Sequence, residues 1–220
     1  MRDTILVLEK DVKENRGKDN IFDHRIVRLI IFFIFLGGGV RLDAVMIRLP
    51  LSFLVEQSDV IVLGQVEDVR CEWSLDGKLI LTVARIRLQD VWKGSVLPAV
   101  FYVETQGGTI GELTLRVSDT PHFRMGEHVC LFLQPVDKSD PGLRGSTVST
   151  SLFSSYAVFG SAQGKWSVDE EELARRGDFK LAEPGESHDD VVPLSVLKQR
   201  VLTEKNRILS EKAAGDAKKK

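Results

Sequence analysis

Between residues 59 and 133 the chain alternates short runs of β-branched and aromatic residues with glycine-bearing turns. The runs include Val60-Ile61-Val62-Leu63, Val100-Phe101-Tyr102-Val103 and Val129-Cys130-Leu131-Phe132-Leu133; the breaks include Gly77, Gly94, Gly107-Gly108 and Gly126. Such runs suit a pleated, buried surface, and glycine supplies the tight or left-handed backbone that the turns require. The pattern predicts a small, closed all-β domain.

A lead-in helix is expected over residues 51–58, where Leu51, Phe53, Leu54 and Val55 gather on one side. The first strand then spans residues 60–73. Val60, Val62, Gly64 and Val66 share one face and Val69, Cys71 and Trp73 the other, so the alternation changes phase near Glu67-Asp68. A phase change within one strand marks a bulge, by which small barrels turn a corner; it leaves the inward side of Ile61 and Leu63 open. Asp76-Gly77 signals a tight hairpin, and a return strand covers residues 79–88. Further strands are expected at 99–104, 113–117 and 128–133. Five strands after a helical lead-in predict a mainly β fold, a small five-stranded OB-like Greek-key barrel with an extra hairpin at 151–168 packed outside it. A β-sandwich is the alternative, because periodicity does not report closure.

The one strongly lipophilic segment, residues 29–36, follows His24, Arg25 and Arg28. A positive flank, an apolar block and a small residue at Ala44 fit an export signal. The continuous apolar stretch, 29–40, is shorter than the ~20 residues of a spanning helix. Extending it to residue 47 would bring in Arg41 and Asp43, both costly in hydrocarbon. Residues 26–44 are therefore read as a signal peptide, with a membrane anchor over 26–47 as the alternative. Residues 1–25 carry six acidic and six basic side chains, more than a signal n-region holds. They are expected to be a disordered polar extension, arising from a translation start further along the chain or serving as a stub before an anchor. Downstream of the 45–168 domain, residues 169–192 read as a linker containing a short helix at 170–176. Pro193 suits the first turn of a C-terminal helix over 193–212, with Leu194, Leu197, Val201 and Ile208 on one stripe. Residues 213–220 form a charged tail.

Catalytic patterns are missing from the sequence. No elbow surrounds a serine in the polar loop near Ser146, and Gly107-Gly108-Thr109-Ile110-Gly111 lacks the lysine of a phosphate loop. Neither enzymatic activity nor a cofactor is expected. His122, His128 and Cys130 are weak metal candidates: His128 and Cys130 would project from one strand face, but no zinc spacing is matched. Cys71 and Cys130 are the candidate disulfide pair. Arg85, Arg87, Trp92, Lys93 and Tyr102 form a candidate binding face, on the strands with which OB barrels hold single-stranded nucleic acid. Residues 45–168 nevertheless hold 11 basic and 13 acidic side chains, a net of −2. Nucleic acid is not expected, since single-strand binders need a positive groove.

The blocks at residues 58–66, Val91-Trp92-Lys93-Gly94, Gly107-Gly108-Thr109-Ile110-Gly111 and residues 123–133 resemble those of a group of exported, uncharacterised bacterial and archaeal proteins. More distantly, the layout is similar to the netrin-like domains of tissue inhibitors of metalloproteinases. The resemblance implies an OB-like barrel and export. Those inhibitors chelate the target's zinc through an N-terminal cysteine, which neither Ala44 nor Val45 provides, so fold carries over and inhibitory mechanism does not. The expected function is a non-catalytic extracytoplasmic domain, secreted or periplasmic, that binds a protein partner. A peptidase-regulating domain is the alternative, and a single-stranded nucleic-acid-binding OB domain a residual one. Membrane contact is expected only through an uncleaved N-terminal segment.

Overall fold

The computed structural model describes residues 47–95, 97–136, 155–177 and 190–217. The chain divides into Met1–Ala44 and Val45–Lys220, and every described residue belongs to the second unit. The expected signal or anchor, the polar extension before it, and the end of the charged tail lie outside the described residues. Among the described residues, no helix is long and apolar enough to cross a membrane.

The fold is mainly β. Helix α1 (Leu51–Gln57) precedes two long strands, β1 (Val60–Trp73) and β2 (Ile80–Lys93). Next come β3 (Val100–Gln106), a small hairpin of β4 (Gly108–Ile110) and β5 (Leu113–Leu115), and β6 (His128–Pro135). The short strands β7 (Ser155–Val158), β8 (Lys165–Val168), β9 (Leu173–Arg176) and β10 (Val191–Pro193) lead to helix α2 (Leu194–Ala217). Among the described residues, eight strands form one mixed sheet in the order β1-β2-β3-β7-β6-β8-β9-β10, and β1 also pairs with β6. The β3–β7 pairing is parallel.

Several expectations hold at residue level. The β1–β2 register slips between Val66 and Asp68, where the sequence changes phase. The hairpin turn uses Gly77 at φ 69°, and the Asp76 carboxylate accepts the Ser74 hydroxyl at 2.7 Å and the Lys78 N–H at 3.2 Å. Other expectations need correction. In the 113–117 segment the strand is β5 (Leu113–Leu115), which among the described residues pairs with β4 alone, as a separate hairpin. The described part of the 151–168 hairpin is not outside the sheet: β7 enters it between β3 and β6. Periodicity marks a segment as strand but does not choose its partner. Residues 173–176 are strand rather than helix, because Asp169 accepts the N–H groups of Glu171 and Leu173 and folds the acidic run into a turn. The 169–192 linker thus contains β9 and most of β10, and Pro193 ends β10 one residue before α2 begins.

The core lies on both sides of β1 and β6. Val60, Val62, Val66, Val129, Leu131 and Leu133 join Ile86, Phe101 and Phe123 in a first cluster. On the other side, Ile61, Cys130 and Phe132 join Leu54, Trp92, Trp166, Leu197 and Val201, with Leu63 packed against them. Strands buried on both faces read as continuous apolar runs, which is why alternation could not orient Ile61 and Leu63. Helix α2 closes the second cluster. Lys198 donates to the Asp90 carboxylate at 2.6 Å, as does the Trp92 indole at 3.0 Å. The Lys198 hydrogen bond is the main reason the Asp90 carboxyl titrates below its usual 3.8. A depressed carboxyl stabilises the fold fully above its unfolded pKa and loses that contribution as pH falls through the folded one. Asp90→Asn should therefore cost up to about 1 kcal/mol at pH 7, because the pair is partly exposed. Urea melts of variant and parent should converge as the pH drops below 3.8.

Candidate functional site

Strand β3 ends by turning sharply into the β4–β5 hairpin. Gly107 and Gly108 make that turn with φ of 103° and 138°, a region in which side chains are strained. A Cβ on Gly108 would also meet Cys71 Sγ at 2.6 Å and Thr82 Oγ1 at 2.9 Å. The Thr82 hydroxyl donates to the Gly107 carbonyl at 2.7 Å and lies 3.7 Å from Cys71 Sγ. Beyond the hairpin, the connector to β6 bends at Asp119, φ 60°, and Thr120 Oγ1 donates to the Val117 carbonyl at 3.1 Å.

These turns enclose a cavity of about 530 Å3. Val69, Cys71, Thr82 and Thr105 form its sheet wall; Gln106, Thr109, Thr114, Leu115 and the connector through Phe123 form the rest. Phe123 belongs to the first core cluster and Val69 packs against it, so the cavity rests on apolar packing. Its polar groups are threonine hydroxyls, one amide and backbone, with the Cys71 thiol and exposed Arg116 and His122 as the charged or titratable members. An apolar base with a few convergent neutral donors and acceptors fits a small-molecule site.

The expected site residues do not converge. His122 lines this cavity, exposed His128 lies 3.4 Å from the Gln89 amide, and Cys130 is buried in the second core cluster. Among the described residues no three His, Cys, Asp or Glu side chains are placed to hold a metal ion. Both cysteines are free thiols. Cys130 lies opposite Leu63 on β1, eight residues before Cys71 and so roughly 26 Å away along an extended strand. A disulfide needs Cα atoms within about 7 Å, so the candidate bridge is corrected. Burial pushes the Cys130 thiol well above its ordinary pKa.

The candidate binding face also divides. Arg85 and Arg87 share the Glu67 carboxylate at 3.5 and 3.2 Å, and Tyr102 pairs with Arg85 in register. Trp92, however, is buried in the second cluster. Lys93 Nζ donates to the carbonyls of Val55, Glu56 and Ser58, holding the end of α1; burial lowers its pKa. One feature went unread in the sequence. Arg70, Val83 and Glu104 align across β1, β2 and β3. Glu104 is 1% exposed, and neither carboxylate oxygen has a hydrogen-bond partner among the described residues. A single glutamate in an alternating strand gives no signal of burial.

No family model matches this chain, and no curated protein matches it.

Proposed function

We propose that the chain is a non-catalytic, extracytoplasmic binding domain on a closed five-stranded OB-type barrel, with its ligand site in the cavity beside Cys71 and Thr82. Closure is supported by the strand pairings, which run β1–β2–β3–β7–β6 and return to β1, with the first core cluster as the barrel interior. Export is supported by the lipophilic run at 29–36 behind Arg25 and Arg28. The observation that carries the binding reading is the cavity itself: about 530 Å3, apolar at its base and walled by neutral hydroxyl and amide groups. Such a lining complements a neutral polar ligand such as a short oligosaccharide, whose hydroxyls meet the threonines while its C–H faces meet Leu115 and Phe123.

Cys71 makes the reading testable in the full-length protein. Half-buried Cys71 should react with iodoacetamide at pH 8, whereas Cys130, buried and with its thiol pKa raised, should react only after unfolding. Mass spectrometry of the two cysteine peptides separates them. A neutral oligosaccharide that binds should slow labelling of Cys71 and raise the melting temperature. If no member of an oligosaccharide panel does either, the cavity is not such a site. Compartment is tested separately by N-terminal sequencing: a cytoplasmic protein that retains Met1 would refute export.

A further inference from the structure

The cavity beside Cys71 and Thr82 differs in character between its walls and its mouth. Threonine hydroxyls and the Gly107-Gly108 backbone make the walls polar but neutral, and buried Phe123 makes the base apolar. The mouth carries Arg116 and His122, both exposed. Arg116 directly follows β5, and His122 precedes Phe123 in the connector to β6. That connector is tied down on both sides of His122. Before it, the Asp119 carbonyl accepts the Ala162 N–H at 2.9 Å. After it, Glu127 Oε1 accepts a hydrogen bond from the buried Lys165 ammonium at 2.6 Å, and the same ammonium lies 5.6 Å from the centre of the Phe123 ring.

Two observations give this mouth a preference for negative charge. No residue lining the cavity is an aspartate or glutamate, so the fixed charge of the lining is that of Arg116. His122 adds an N–H donor in either protonation state. Arg116 also makes no hydrogen bond or ion pair with any described residue, whereas exposed Arg85, Arg87, Arg175 and Arg207 each lie on a carboxylate. Glu112 and Asp119, the acids closest to it along the chain, lie outside the lining and form no ion pair with it. Its planar fork of donors is therefore open to the two oxygens of a carboxylate.

Resting on the binding site proposed for this cavity, we infer that its ligand is an acidic saccharide, a short oligosaccharide that bears one uronic-acid carboxylate. The carboxylate would lie at the mouth on the Arg116 guanidinium and the His122 N–H. The uncharged remainder of the sugar would fill the cavity against the threonines and Phe123. The reverse orientation is unfavourable, because a carboxylate at the apolar base would be desolvated without a partner. The chain as a whole carries a net charge of −2 and does not attract anions at long range, so the selectivity belongs to this local pair. Exposure of Arg116 keeps the preference modest and sensitive to salt.

Glucuronosyl-xylose and the corresponding uronamide have nearly the same shape and differ by one negative charge. Protection of Cys71 from iodoacetamide at pH 8, in the full-length protein at low ionic strength, gives an apparent Kd for each. The acid should bind about three- to tenfold more tightly than the amide, and added sodium chloride should narrow the difference. Arg116→Gln should remove the preference. Arg124→Gln, at an exposed connector position outside the lining, should retain it, and circular dichroism checks that both variants remain folded. Equal protection by acid and amide would overturn the inference and leave the saccharide site standing. Protection by neither would overturn the saccharide site and the inference with it. A preference that survives Arg116→Gln would overturn the placement of the carboxylate at the mouth. Sodium acetate protecting Cys71 as well as the acid does would reveal a bare anion site and overturn the assignment to a saccharide.

Discussion

Leu131→Asp is expected to abolish folding of the domain. Leu131 is fully buried in the first core cluster, on a strand paired along both edges: Leu131 lies opposite Val62 of β1 and Lys165 of β8. No partner change can turn it outward without breaking one of those ladders. An aspartate there must be desolvated without a designed partner, at a cost of several kcal/mol, comparable with a total stability of about 5–15 kcal/mol. Circular dichroism of the variant should show loss of the β signal or a cold-shifted, non-cooperative melt. Leu131→Met, which conserves volume and polarity, should cost less than about 1.5 kcal/mol. If Leu131→Asp melted like the parent, Leu131 would be exposed, and the two-sided burial of β6 would be wrong.

The same strand shows what could and could not be read in advance. Val129 to Leu133 is an unbroken apolar run, legible as strand from composition. That both faces are buried became visible only with the second cluster, built from α1, α2 and residues beyond 160. Strand positions on β1 and β2 were legible because alternation, the phase change at Glu67-Asp68 and the Asp76-Gly77 turn agree. Partner choice for β7 was not, because four residues of strand carry no information about a parallel neighbour some fifty residues upstream in β3. Residues 170–176 are expected as a short helix from sequence; local side chain-to-backbone bonds from Asp169 decide otherwise. For the candidate sites the contrast is sharper. Gly107-Gly108 reads as a tight turn, but the cavity it helps enclose depends on Cys71 and Thr82 approaching from two other strands.

Among the described glycines, Gly164→Ala should be the most damaging alanine substitution. Gly164 has no left-handed φ to defend, and sequence alone marks it only as one of two glycines bounding a turn. Its constraint is steric: an added Cβ would fall on the Phe159 carbonyl oxygen and lie 2.9 Å from Val158 Cγ1. A backbone oxygen cannot rotate away, and this stretch is held on several sides. The Phe159 N–H donates to the Phe132 carbonyl at 2.8 Å, the Ala162 N–H to the Asp119 carbonyl at 2.9 Å, and the Gln163 N–H to the Gly160 carbonyl at 3.1 Å. Relieving the clash means opening the turn, which displaces Gln163 and with it the hydrogen bonds its side chain makes, accepting the Leu49 N–H and donating to the Ile47 carbonyl. A loss of about 3 kcal/mol or more is expected, at or above the upper end for overpacked sites. Gly177→Ala is the control: no atom of the described residues lies within 4 Å of its added Cβ, so it should be neutral or stabilise by ~0.4–1 kcal/mol through the unfolded chain. Urea denaturation of the two variants beside the parent measures both. Equal stabilities for the two would mean that residues 158–164 do not follow this path. Gln163 could then no longer be the element that fixes residues 47–49 against β9.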